Sequence, residues 1–274
     1  MRQSNRLFRI LLHPEPYRVT LARRLVTRFK LGPYPERLRF GAAAYPWYGW
    51  CLYHAALQAR ALDFGRVTAI EMGVAGGAGL LALRDHAVEV ERQTGVKTVI
   101  FGLDAGSGLP ASSDYRDLLY CWPRGSFPMD FDKLRAQLNG GAELVIGNIG
   151  ETLPRLVWPA DAPLAVVLFD LDLYSSTVAA LKVLAKPNRL ARVWCWLDDI
   201  SGYPDNLYSD KTGVRLAVRE YNDARRDGTL SPANCFKDMR PQWWHDLVYV
   251  DHDFAHPAYN RCLSSEIHRL DLTR

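Results

Sequence analysis

Val67-Thr-Ala-Ile-Glu71-Met-Gly73-Val-Ala-Gly76-Gly77-Ala-Gly79 opens as a β-branched apolar run and closes with four glycines in seven residues. The run reads as a strand, and amphipathic spacing from Gly79 to Arg92 reads as the helix after it. Glycines at such a turn let the backbone bend tightly and approach a ligand where a Cβ would clash. The helix N-terminus then offers free N–H groups to a carboxylate or phosphate. The pattern points to a nucleotide-like ligand without naming it. Gly77-Ala-Gly79-Leu-Leu-Ala82 also fits the loose GxGxxA dinucleotide pattern, and a tight turn with close helix–strand packing accounts for the glycines without a ligand.

The same alternation continues outward. Further strands are predicted at 97–103, 143–146, 164–169, 192–197 and 246–250. Helices are predicted at 131–138, 151–156, 176–185 and 213–225, and residues 105–130 read as irregular. Leu164-Ala-Val-Val-Leu-Phe169 is apolar throughout, as a strand covered on both faces must be. Strands separated by helices predict an α/β fold, a doubly wound, Rossmann-like and mostly parallel sheet with helices on both faces. Residues 1–65 form a basic helical N-terminal extension to the domain at 66–274, and no internal repeat is visible.

The composition, 274 residues with 48% hydrophobic and 23% charged, belongs to an ordinary globular chain. No apolar run approaches the roughly 20 residues of a membrane span, and Ile10-Leu-Leu12 is cut off by His13-Pro14 before it can form a signal-peptide core. Five cysteines without a CxxC pair read as reduced thiols in a cytoplasmic protein. The net charge of +4 is uneven: residues 1–40 carry +8 and the remainder −4. Leu7, Phe8, Leu11, Val19, Leu21, Leu25, Val26 and Phe29 interleave with those arginines. Such a segment packs on the main domain or on a second subunit of a homo-oligomer, or touches an anionic membrane peripherally. No nucleic-acid motif follows it, so no nucleic-acid partner is expected.

In doubly wound sheets ligands sit beyond the carboxyl ends of the strands, near the switch in strand order. Those ends are acidic here. Asp104 closes the second strand, where an acid can accept from both ribose hydroxyls, or serve as a turn residue. Asp170-Leu-Asp172 follows the fourth strand and Asp198-Asp199 the fifth. Neighbouring parallel strands lie about 4.8 Å apart, so terminal carboxylates converge on one point. Oxygen donors without His or Cys suit a hard cation such as Mg²⁺. Capping by Ser175 or Ser176, and a turn at Asp199, explain one or two of these residues but not both acidic strand ends.

Five motifs in order, Glu71-x-Gly-Val-x-Gly-Gly, Asp104-x-x-x-Gly-Leu-Pro110, Gly147-x-x-x-x-Thr-Leu-Pro154, Asp170-x-Asp-Leu-Tyr-x-Ser-Thr177 and Asp198-Asp199, resemble the macrocin O-methyltransferase (TylF/MycF-like) family. That family belongs to the class I S-adenosylmethionine-dependent methyltransferases, and the resemblance covers about residues 66–225. It implies a seven-stranded sheet, S-adenosylmethionine, and Mg²⁺-dependent methylation of a sugar hydroxyl. Carried over by position, Glu71, Gly73, Val74, Ala75, Gly76 and Gly77 would hold the cofactor's amino-acid end. Asp104 and Ala105 would take its ribose, Asn148 and Ile149 would flank adenine, and Asp170 would close the cofactor site. Asp170, Asp198 and Asp199 would ligate the metal. The family's Asp-Ser-Phe at the second strand end reads Asp104-Ala-Gly106 here, and residues 111–130 do not map onto it, which places a substrate lid of this chain's own at 105–130.

Methyl transfer to oxygen needs the acceptor's proton removed, and a metal-bound hydroxyl gives it up more readily. Asp170 with the metal, Asp172 as base, and His245 behind it are the catalytic candidates. The aromatics Tyr45–Trp50 and Trp243-Trp244 could, as an exposed pair, stack on a sugar ring or an aromatic acceptor; they are read as packing, with Tyr48 a candidate to cover the cofactor. The expected activity is an O-methyltransferase acting on a hydroxyl of a sugar, glycoside or other small natural product. The alternatives are a nicotinamide-dependent oxidoreductase and a non-catalytic, methyltransferase-like binding protein.

Overall fold

The computed structural model describes residues 16–237, 239–261 and 263. Its seven strands are β1 (Arg66–Met72), β2 (Lys97–Asp104), β3 (Glu143–Ile146), β4 (Leu164–Phe169), β5 (Arg189–Leu197), β6 (Gly228–Pro232) and β7 (Val248–Asp253). They form one sheet of order β3-β2-β1-β4-β5-β7-β6. Strands β1 to β5 pair in parallel, and β7 runs antiparallel to both β5 and β6. The expected α/β architecture is therefore present. Six strands are visible in the residue pattern, and β6 is the one it missed. Gly228-Thr-Leu-Ser-Pro232 offers one apolar side chain between a glycine and a proline, and it is an edge strand read only through its pairing with β7.

The chain leaves β1 for β2 on one side and returns to β4 on the other, so the order reverses between β1 and β4. All six residues of β4 are buried. Asp170 N–H donates to Met72 O at 2.9 Å, and Gly73 N–H to Leu103 O at 2.9 Å, which draws the ends of β1, β2 and β4 together. This is where an open α/β sheet presents its ligand crevice.

Eight α-helices accompany the sheet among the described residues: α1 (Tyr17–Phe29), α2 (Tyr34–Arg39), α3 (Pro46–Ala61), α4 (Ala78–Thr94), α5 (Phe131–Leu138), α6 (Ile149–Arg155), α7 (Tyr174–Leu181) and α8 (Gly213–Asp223). Helix α3 precedes β1, yet Cys51, Leu52, Ala55, Ala56 and Ala59 are fully buried in the common core. Gly49 permits that closeness, since a Cβ there would strike the side chains of Leu38 and His86. Helix α1 buries no residue and turns Tyr17, Leu21, Leu25 and Phe29 outward, one per turn. The rest of the expected basic segment, residues 1–15, lies outside the described residues.

No described helix is long and apolar enough to cross a membrane. Cys51, Cys121, Cys195 and Cys235 carry free thiols, and Cys262 lies outside the described residues.

Candidate functional site

The turn after β1 carries most of the glycine signal. Gly77 takes φ +81° and precedes α4, a conformation a side chain would strain. Gly79 answers a different need: a Cβ there would collide with Glu71 Oε1 and the Tyr48 ring. Glu71 is 2% exposed and accepts a hydrogen bond from Tyr48 O–H at 2.9 Å on Oε1. Its Oε2 is buried with no partner. Burial raises the Glu71 pKa to about 8, and the Tyr48 hydrogen bond pulls in the opposite direction. Tyr48, expected as a cover for a cofactor, is thus buried beneath the turn instead.

Asp104 faces the same turn. Its Oδ2 accepts from Val74 N–H at 2.8 Å and Ala75 N–H at 2.9 Å, and its Oδ1 from Gly106 N–H at 2.6 Å. It fixes the glycine turn to the end of β2, and its remaining lone pairs stay available to a ligand. Asn148 caps α6 through Oδ1 to Gly150 N–H at 2.8 Å.

A cavity of about 740 Å³ opens at these strand ends. Gly73, Ala75, Asp104, Ala105, Asn148 and Ile149, all expected at a cofactor, line it. Asp170, Asp172, Asp198 and Asp199 line it too. Glu71, Val74, Gly76 and Gly77 are not among the lining residues: Glu71, Val74 and Gly77 are buried and Gly76 is exposed. Carboxylate oxygens of Asp170, Asp198 and Asp199 all come within 4.8 Å of one another. Asp199 accepts from Asp172 N–H and from Tyr208 O–H, both at 3.2 Å. Burial, then mutual repulsion, raises the pKa of Asp170 well above the carboxylate range. Asp172 is raised to about 8 and Asp199 to about 7 by the same causes in the same order, and burial raises Asp198. Asp172 sits at φ +58°, a strained conformation for a side-chain-bearing residue, braced by the bond to Asp199.

His245 is elsewhere. Its ring stacks on Phe236 at 4.2 Å and meets Trp244 edge-on at 4.4 Å, it is 8% exposed, and it is not part of the cavity wall. A histidine between two aromatic rings serves packing here.

No protein-family model and no curated protein matches the chain. Solved structures do. The calicheamicin methyltransferase CalS11 is 20% identical, with 89% of this chain and 95% of that one aligned at a TM-score of 0.53. The O-methyltransferase TomG of Streptomyces achromogenes, involved in tomaymycin synthesis and solved with S-adenosylmethionine, is 17% identical over 92% and 96% of the two chains, at 0.41. The fold is the Rossmann-like fold of the class I methyltransferases.

Several wall residues were not legible in the sequence. Tyr208, which bonds Asp199, and Tyr203 and Asn206 beside it come from the loop after β5, where no periodicity marks them. Trp122 and Phe127 come from the expected lid. The pair Trp243-Trp244 divides: Trp244 is 1% exposed in the core, whereas Trp243 is 66% exposed and lines the cavity.

The segment 105–130, the expected lid, is anchored by its own carboxylate. Asp117 is fully buried; its Oδ1 accepts from Ser175 N–H at 2.7 Å, and its Oδ2 accepts from both Ser175 Oγ–H, at 3.0 Å, and Ser112 Oγ–H. Asp117 therefore caps α7, a role the sequence had offered to Ser175 or Ser176. Arg116 lies over the Tyr174 ring at 4.3 Å and donates to its hydroxyl at 2.9 Å.

Proposed function

We propose that this chain is an S-adenosylmethionine-dependent, Mg²⁺-dependent O-methyltransferase acting on a hydroxyl of a sugar, glycoside or other small natural product. The observation that carries the reading is the orphaned Oε2 of Glu71 beneath a glycine turn, beside a cavity whose far wall bears four carboxylates. A buried acceptor without a donor costs about 1–3 kcal/mol, and an ammonium group such as the cofactor's amino-acid end satisfies it. Asp104 takes the ribose with its free lone pairs, and Asn148 and Ile149 flank the adenine. The cofactor supplies a methyl group on a sulfonium, poised for displacement by an oxygen.

Asp170, Asp198 and Asp199 fit a hard divalent cation, being three oxygen donors that converge and repel one another when empty. A cation there would lower the pKa of a coordinated acceptor hydroxyl. Asp172 is the base in this reading, because it lines the cavity beside the converging carboxylates without belonging to that set. Positioning of the acceptor between Asp172 and the turn contributes on the order of 7–11 kcal/mol of barrier reduction.

The nicotinamide reading loses its main support at Gly79. The space a Cβ would take there is filled by Glu71 and Tyr48, so this glycine serves packing and not a pyrophosphate. An antiparallel β7 also departs from the all-parallel dinucleotide order.

Calorimetric titration of S-adenosylhomocysteine into metal-stripped protein, repeated with Mg²⁺ and with NAD as control, tests the reading. Micromolar binding of the homocysteine product and none of NAD is expected. Asp170→Ala should abolish transfer while the fold, read by circular dichroism, stays intact. Unchanged turnover in that variant would remove the metal assignment.

A further inference from the structure

Trp243 combines two properties that seldom coincide. Its ring is held by two others, edge-on to Trp47 at 4.7 Å and to Trp196 at 6.0 Å, and Trp47 stacks on Trp196 at 5.1 Å. Yet 66% of Trp243 is exposed, at the wall of the cavity. A large ring fixed in place loses little conformational entropy when a ligand covers it, which is the advantage of a preorganised contact. The core does not need that exposed surface.

The position is also informative. Trp196 and Asp198 alternate on one face of the β5 end, and the Trp196 side chain is within hydrogen-bonding reach of Asp198. Trp243 is thus one ring away from the carboxylate cluster. Leu247 and Tyr208 line the same cavity, and the Trp122 indole N–H, also of that cavity, has no partner. A flat apolar platform beside oxygen acceptors and an unpaired donor matches a molecule with C–H groups on one face and hydroxyls around its rim. That is a pyranose ring.

Charge narrows the class. Five aspartates line the cavity, and a wall so rich in carboxylates repels a diphosphate. Among the described residues that line the cavity there is no lysine or arginine to offset this. Arg116 of the lid is held by both oxygens of Asp114 and by Tyr174.

We propose that Trp243 is the platform on which the acceptor's ring lies, and that the acceptor is an uncharged pyranoside rather than a nucleotide-activated sugar. The hydroxyl to be methylated then points from the platform toward Asp172 and the cluster. This inference rests on the methyltransferase reading of the same cavity.

Saturation-transfer NMR with a panel of methyl hexopyranosides, UDP-glucose and catechol, on wild type, Trp243→Phe and Trp243→Ala with Mg²⁺ and S-adenosylhomocysteine, tests it. At least one methyl pyranoside should bind wild type, about tenfold more weakly to Trp243→Ala and with an intermediate loss for Trp243→Phe. UDP-glucose and catechol should bind more weakly than that pyranoside. Calorimetric affinity for S-adenosylhomocysteine should stay within about twofold in both variants, which shows that they fold. Pyranoside binding untouched by Trp243→Ala, no pyranoside binding to wild type, or tighter binding of UDP-glucose or catechol would each overturn the proposal. Failure of wild type to bind S-adenosylhomocysteine would instead overturn the methyltransferase reading, and the pyranoside titration would still report on Trp243.

Discussion

Glu71 shows how much one orphaned atom can decide. Burial lifts its pKa to about 8 in the empty site, so near pH 7 the carboxyl is mostly protonated. A ligand ammonium binds the ionised form, and binding must then release a proton. Affinity for S-adenosylhomocysteine should accordingly rise as pH climbs from 6 toward 8, and calorimetry in buffers of different ionisation enthalpy should register the release. Glu71→Gln removes the charge and should weaken binding about 10- to 100-fold, the equivalent of a charged hydrogen bond of roughly 1.5–3 kcal/mol. The pH dependence should vanish with it. Tyr48→Phe should move the midpoint upward, because the Tyr48 hydrogen bond lowers the Glu71 pKa. A Glu71→Gln protein that binds as wild type does would place the cofactor's amino group elsewhere.

At the scale of the element, the lid and α7 form one unit through Asp117. Asp117→Ala leaves the Ser175 N–H in the first turn of α7 without its cap, which should cost about 0.5–2 kcal/mol in urea unfolding. Limited proteolysis should then cut within 105–130 faster than in wild type. Asp117→Asn keeps an acceptor oxygen and should lose less. Equal protection of the lid in Asp117→Ala would mean that Arg116 on Tyr174 seats it alone. None of this was legible in the sequence, because a capping carboxylate 58 residues distant leaves no local pattern. Strand β4 was legible because burial on both faces demands an unbroken apolar run, and β1, β2 and β5 because each holds a short, mostly apolar run rich in β-branched or aromatic residues. The acidic strand ends were legible for a related reason: a residue just after a parallel strand has its place set by the sheet. Trp243 and Tyr208 arrive on loops: residue type left Trp243 open between packing and stacking on a ring, and nothing in the sequence singled out Tyr208.

Across the whole molecule, two sets of buried groups pull stability in opposite directions with pH. His86 on α4 is buried between Tyr34 O–H, at 2.9 Å from Nδ1, and Ala44 O, at 2.7 Å from Nε2, so it ties the segment before β1 to the sheet's covering helix. Burial lowers its pKa. The unfolded chain, with His86 near 6.5, binds the proton first, so this contribution is present above about pH 6.5 and lost as pH falls. The carboxylates behave oppositely. Glu71, Asp170, Asp172, Asp198 and Asp199 all have raised folded pKa values. Their contribution is present below the unfolded carboxylate pKa near 4 and lost as pH rises through the folded values, which reach about 8 for Asp172. The metal-free protein should therefore weaken on both sides, and His86→Gln should make only the acid limb shallower, since His54, His245 and His252 are also lowered by burial and share that limb. A cation binds the ionised cluster, so it should act mainly on the alkaline limb. In urea unfolding from pH 5.5 to 8.5, the stabilisation by Mg²⁺ should grow between pH 6 and pH 8 and disappear in Asp198→Asn. An equal Mg²⁺ effect at every pH, or one that survives in Asp198→Asn, would mean that the ion binds elsewhere and that the four carboxylates are held apart from it.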